Sequence, residues 1–250
     1  MRTACTIIML FFAVSASAAG IKVDYQVDGE SFEGYFVSAG ANAPLVLLVH
    51  DWDGLTDYEV KRAGMLADMG YAVFAVDLFG KGVRPTGIEA KRQQTGALYG
   101  DRERMRKLLN GGLTAAKVAG ANIDNAVAAG YCFGGAAVLE MARSGADLQG
   151  FVSFHGSLKT PKDQDFAKAK GSILVMHGAA DEVVSMLDFS TLAFDLESAE
   201  VPFEMITYSG APHAFTVFGS ERYRKDADKK SWRRFVEYLK ETLHQEPAPK

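Results

Sequence analysis

The residues Gly130-Tyr131-Cys132-Phe133-Gly134-Gly135 set a thiol in the pattern Gly-x-Cys-x-Gly. Where a strand hands over to a helix, a sharp turn of this kind thrusts its central side chain out at the carboxyl end of a sheet, and glycines are needed because a Cβ would crowd the neighbouring backbone. The start of a helix just beyond favours the thiolate, the nucleophilic form of cysteine. Cys132 is therefore a candidate nucleophile for acyl transfer, which requires a base and a group to orient that base. In this arrangement the acid and then the histidine follow the nucleophile along the chain. Of His50, His155, His177, His213 and His244, only the last two follow the final strand-like segments. His244 ends the terminal helical stretch, whereas His213 stands in a loop, Tyr208-Ser209-Gly210-Ala211-Pro212-His213, directly after a strand. His213 is the candidate base. Asp181 ends the run His177-Gly178-Ala179-Ala180-Asp181 and is the candidate orienting acid, with Asp188 as a second choice and a helix N-cap as its structural alternative. His177, in the same turn, reads as a structural histidine.

The importance of Cys132 also depends on the start of the chain. Arg2, an apolar run from Ile7 to Val14 and the small residues Ser15-Ala16-Ser17-Ala18-Ala19 have the layout of a secretory signal, with cleavage expected after Ala18. The apolar run is shorter than the roughly 20 residues that span a bilayer. Cleavage would remove Cys5, one of only 2 cysteines, and leave Cys132 without an internal disulfide partner. The protein is thus expected to be exported, periplasmic or secreted, with no membrane association after cleavage.

Elements able to position these residues alternate along the chain. Segments 22–27 and 31–38 read as a hairpin around Asp28-Gly29. Strand-like runs at 45–49, 71–76, 126–129, 150–154, 172–176 and 203–208 are interleaved with helical patterns at 57–69, 97–119, 134–143, 186–198 and 222–243. Such alternation specifies an α/β fold, a mostly parallel sheet with helices on both faces. No linker or repeat divides the chain, so one domain is expected from residue 19 onward. Residues 78–96, rich in Gly, Lys and Arg, read as a long irregular connection over the site.

Composition fits an ordinary globular protein: 48% hydrophobic and 23% charged among 250 residues, which excludes collagenous, disordered and disulfide-stapled classes. A net charge of −4 gives no electrostatic case for a nucleic-acid partner. The scattered histidines lack metal-ligand spacing, and neither a metal nor a cofactor is expected.

Together the Cys132 turn, His177-Gly178-Ala179-Ala180-Asp181 and Pro212-His213-Ala214-Phe215 resemble the dienelactone hydrolase family of α/β-hydrolases. Two further segments carry the likeness, Val49-His50-Asp51-Trp52-Asp53-Gly54-Leu55 and Val76-Asp77-Leu78-Phe79-Gly80. The resemblance covers nearly all of the chain beyond the leader and implies an eight-stranded α/β-hydrolase fold. It also implies a Cys132, His213, Asp181 triad acting through a thioester, with an oxyanion hole from the backbone N–H groups of Trp52 and Phe133. Asp51 stands where the family has a glutamate that controls the thiol. For the two arginines that hold a substrate carboxylate, the chain offers Lys81 at one position and Val217 at the other, with Arg84 in the same loop as Lys81 as a substitute. A small ester or lactone is therefore the expected substrate, rather than dienelactone itself. The rival reading is a non-catalytic exported protein that binds a small molecule or a partner on the same fold. A thiol redox sensor is disfavoured because Cys132 has no resolving cysteine.

Overall fold

The computed structural model describes residues 19–243. The expected leader and His244 lie outside the described residues. Eight strands, β1 (Ile21–Val27), β2 (Glu30–Ser38), β3 (Pro44–Val49), β4 (Ala72–Val76), β5 (Asn122–Tyr131), β6 (Gly150–Phe154), β7 (Ser172–Gly178) and β8 (Phe203–Tyr208), form one sheet in the order β1-β2-β4-β3-β5-β6-β7-β8. β2 runs antiparallel to β1 and β4, and every other neighbouring pair is parallel. The chain has the α/β-hydrolase fold. Its opening hairpin closes on Asp28 and Gly29, both with positive φ (51° and 83°), the handedness that matches the twist of paired strands.

The central strands are apolar on both sides because both faces are covered. In β3, Leu45, Leu47 and Val49 enter one core while Val46 and Leu48 enter the other, and Ala126 and Ala128 alternate with Val127 and Ala129 in the same way along β5. Helices α1 (Asp57–Ala67) and α6 (Lys225–Leu243) cover one face, through Ala63, Leu66, Phe235 and Leu239. The opposite face is covered by α3 (Arg102–Val118), α4 (Phe133–Arg143) and α5 (Met186–Ser198), through Leu108, Leu109, Val138, Leu192 and Leu196.

One expectation about the elements is corrected. Much of the supposed irregular connection 78–96 is helical: α2 runs Ile88–Gly100 and is separate from α3, so the stretch expected as one helix from 97 to 119 is two. The break is chemical. Asp101 adopts a non-helical conformation and its side chain accepts a hydrogen bond from the Arg104 N–H, ending one helix and capping the next.

β3 lies between β4 and β5, so the chain departs to opposite sides of it and leaves a crevice beyond the carboxyl ends of β3 and β5. Trp52 follows the first of these strands and Cys132 follows the second. Among the described residues no helix is long and apolar enough to cross a membrane.

Candidate active site

Cys132 occupies a strained conformation, φ 51° and ψ −110°, between β5 and α4. Its N–H donates to the Phe154 carbonyl at 2.9 Å, which ties the turn to β6. The flanking glycines are sterically required: a Cβ on Gly130 would lie 2.3 Å from the Gly134 backbone, and one on Gly134 would lie 2.3 Å from the Val49 carbonyl oxygen. Absent side chains let α4 approach β3 and β5, and that approach aims the thiol at the crevice.

The three residues singled out for chemistry meet there. His213 Nε2 lies 3.1 Å from Cys132 Sγ, and His213 Nδ1 lies 2.8 Å from Asp181 Oδ2. The other carboxylate oxygen of Asp181 accepts the N–H groups of Val183 and Val184 at 2.8 and 2.9 Å, fixing the carboxylate plane. Burial works against charge on His213, but hydrogen bonds to Asp181 and Cys132 overcome it and raise its pKa to about 10. Asp181 experiences the same contest: burial pushes its pKa up, and the His213 and backbone hydrogen bonds bring it below the usual carboxylate value. Asp188 is otherwise engaged, forming a capping box with Ser185 at the start of α5. Asp181 is therefore not that helix's N-cap.

Three further histidines hold the loops that carry the site. His50 Nε2 accepts the Leu78 N–H at 3.1 Å, which leaves Nδ1 as the donor to the Asp51 carbonyl at 2.6 Å, and burial lowers its pKa to about 4. It joins the loops after β3 and β4. His177 Nε2 contacts the Val184 carbonyl at 3.1 Å and secures the loop carrying Asp181. His155 Nε2 lies 2.8 Å from Thr216 Oγ1, which in turn lies 2.8 Å from the Tyr58 hydroxyl. Behind them the buried Arg62 guanidinium donates to the Thr216 carbonyl at 2.9 Å and pairs with Asp228 of α6. The segment following His213 is thereby fastened to α1 and α6.

A cavity of about 250 Å³ opens over the thiol, lined by Trp52, Thr95, Tyr99, Cys132, Phe133, Ser157, Val183, Val184 and His213. Trp52 and Phe133 thus stand beside the sulfur. Neither backbone N–H has a hydrogen-bond partner among the described residues. Asp51 is buried but does not line the cavity. It accepts the Asp53 N–H at 2.8 Å, makes no hydrogen bond to Cys132, and burial raises its pKa to about 6.

The structure does not bring the two expected cationic residues to this cavity. Lys81 turns toward β1 and pairs with Asp24 at 2.5 Å. Arg84 Nε donates to the Leu55 carbonyl and Nη1 to the Val83 carbonyl at 2.7 Å, beside a different cleft bordered by Glu33 and Tyr35. Their place in the chain is near the site, but their side chains answer to other partners.

The model of the dienelactone hydrolase family matches residues 32–243, nearly the whole of the described chain. The chain belongs to the dienelactone hydrolase family. It is a carboxylic ester or lactone hydrolase by that membership. A protein of Caenorhabditis elegans, "Uncharacterized protein K02A2.1", is 32% identical over 124 residues, 46% of this chain and 78% of its own. A protein of Escherichia coli K12 named "Putative carboxymethylenebutenolidase" is 26% identical over 130 residues, 49% of this chain, and the match spans 48% of that protein. Among solved structures, the crystal structure of the dienelactone hydrolase-like promiscuous phosphotriesterase P91 from metagenomic libraries is 27% identical. It has a TM-score of 0.84 over 91% of this chain and 100% of that one.

Several features of this hydrolase become evident in the folded chain. Thr95 and Tyr99 reach the cavity from α2, with Lys91 one turn earlier, its ammonium 5.1 Å from the centre of the Trp52 ring and paired with Asp53. The spacing 91, 95, 99 is that of one helix face, a signal available once the segment is treated as helical. Glu59, fully buried, accepts the Thr56 N–H at 2.8 Å in a capping box, and burial raises its pKa to about 8. Thr-x-x-Glu before an apolar pattern is a helix-start signature that was legible. Among the described residues no group of three or more His, Cys, Asp or Glu is placed to hold a metal.

Proposed function

We propose that this hydrolase cleaves small esters or lactones through a thioester on Cys132, with His213 as the base and general acid and Asp181 as its orienting carboxylate. The observation that carries this reading is the unbroken chain of contacts from sulfur to imidazole to carboxylate, 3.1 and 2.8 Å long. The sulfur attacks the carbonyl carbon and the carbonyl π electrons move onto oxygen, which faces the Trp52 and Phe133 N–H groups. Collapse of this adduct breaks the bond to the leaving oxygen, which takes a proton from His213. Water, giving a proton to His213, then adds to the thioester and the carbon–sulfur bond breaks.

The cavity is small, and its walls are largely aromatic and aliphatic, which suits a short acyl group better than an extended one. Without Lys81 or Arg84 at its lining, nothing in the proposal requires a carboxylate on the substrate. We also propose that the chain is exported, on the strength of its first 19 residues.

Steady-state hydrolysis of 4-nitrophenyl acetate tests the assignment. The wild type should turn over, and Cys132→Ala should fall by about 10³-fold or more, the scale on which loss of a nucleophile is felt. Equal rates for the two proteins would refute the role of Cys132.

A further inference from the structure

Two hydroxyls in the cavity wall, those of Tyr99 and Ser157, have no hydrogen-bond partner among the described residues, whereas Thr95 Oγ1 is occupied by the Lys91 carbonyl at 3.0 Å. Tyr99 is the more tightly placed. Its ring meets Phe133 edge to face, with centroids 5.4 Å apart and planes at 71°. On the ring's other contact, the Arg102 guanidinium lies 4.7 Å from its centre, while Arg102 Nε donates to the Tyr99 carbonyl at 3.1 Å. Arg102 is itself paired with the buried Glu140 of α4 at 3.4 Å, so the ring is set between α4 and a fixed cation. Phe133 is the residue whose N–H follows the nucleophile. A phenol packed on that residue lines the same cavity as Cys132, Trp52 and Phe133.

We propose that Tyr99 is a catalytic residue whose hydroxyl donates a third hydrogen bond to the oxyanion formed on Cys132, alongside the Trp52 and Phe133 N–H groups. The phenol remains a donor throughout, because burial and then the charge of Cys132 hold its pKa above the usual value. Most oxyanion donors on such a site are backbone groups, whose strength is fixed; a side-chain donor can be removed without moving the chain. This inference rests on the proposed nucleophile, but not on completed turnover.

A ketone that stops at the adduct separates the two. With 1,1,1-trifluoroacetone, the Cys132 sulfur adds to the carbonyl carbon, the π electrons pass to oxygen, and a thiohemiketal oxyanion forms with no leaving group to expel. Its dissociation constant can be followed by ¹⁹F NMR and by protection of Cys132 from iodoacetamide. Tyr99→Phe, which keeps the ring and its packing, should weaken the adduct about tenfold or more, the contribution of one hydrogen bond to a charged acceptor. The alkylation rate of Tyr99→Phe without ketone should stay within about twofold of wild type, since the change removes no donor to the thiol. Equal affinity of wild type and Tyr99→Phe would overturn the inference. So would a loss confined to Ser157→Ala, or a parallel loss of alkylation rate in Tyr99→Phe, which would place its effect on the sulfur. No adduct on the wild type would overturn it together with the nucleophile. An adduct weakened in Tyr99→Phe on a protein that hydrolyses no ester would support Tyr99 and defeat the hydrolytic reading.

Discussion

His213 meets two opposing demands. Its burial disfavours a charge, while Asp181 and Cys132 on either side favour one strongly enough to set its pKa at about 10. The imidazole should therefore keep a proton available to the sulfur across the neutral range. Alkylation of Cys132 by iodoacetamide is expected to vary little from about pH 6 to 9 in the wild type, and in His213→Gln to slow by about tenfold at pH 6 while recovering at higher pH. Unchanged alkylation in His213→Gln would remove His213 as the partner of the thiol. At this scale, Cys132, Asp181 and His213 could be picked out because each lies in a turn or loop that follows a strand-like segment, in the chain order nucleophile, acid, base. Lys81 and Arg84 show what such reasoning lacks. Chain position brings a long cationic side chain near a site, yet its direction is chosen by whichever partner is free, and Asp24, distant in sequence, is not visible from the loop alone.

The least legible element was α2. Its inward face includes Lys91, Thr95 and Tyr99, Gly96 interrupts it and Gly100 ends it, so the apolar period that marks other helices is weak. The helix is held by Leu98 in the core and by the Lys91–Asp53 pair rather than by a continuous apolar stripe. By contrast, the β5–α4 junction was legible because steric demand writes glycine directly into the sequence. Gly134→Ala should prove the point: the new methyl would have to displace the β3 backbone at Val49, costing about 1 to 3 kcal/mol of stability. A lower urea midpoint with loss of ester hydrolysis is expected. Unaltered stability and activity would show that α4 does not need this close approach.

Across the whole molecule, the sheet's two apolar faces and its mostly parallel pairing follow from alternation and could be anticipated, but its strand order and the burial of Glu59 could not. Glu59, Asp51 and His213 all hold protons in the folded state that the unfolded chain would release at lower pH. Each raised pKa therefore means stability lost as pH rises: for Glu59 from 4.5 through about 8, for Asp51 from 3.8 through about 6, and for His213 from 6.5 through about 10. Asp181 and His50, whose values are lowered, give the opposite slope on the acid side. Stability should pass through a maximum in mildly acid solution and decline toward alkaline pH. Glu59→Gln, which keeps an acceptor for Thr56 but cannot ionise, should gain on the wild type between pH 4.5 and about 8, with a slope of at most about 1.4 kcal/mol per pH unit. Urea midpoints at several pH values would show this; a constant difference between the two proteins would mean that Glu59 does not titrate in that range. The fastening of α1 to α6 through Arg62 and Asp228 belongs to the same scale. Arg62→Met would leave Asp228 buried without its cation, and should cost about 3 kcal/mol or more in the same urea measurement.

Hydrolysis through Cys132 requires that a covalent bond form to its sulfur. Intact-mass spectrometry during single turnover of 4-nitrophenyl acetate reads this directly. A transient acetyl adduct on the wild type, mapped to Cys132 and missing in Cys132→Ala, is the predicted result. Turnover of the ester with no adduct at Cys132, or the same adduct formed in Cys132→Ala, would contradict it.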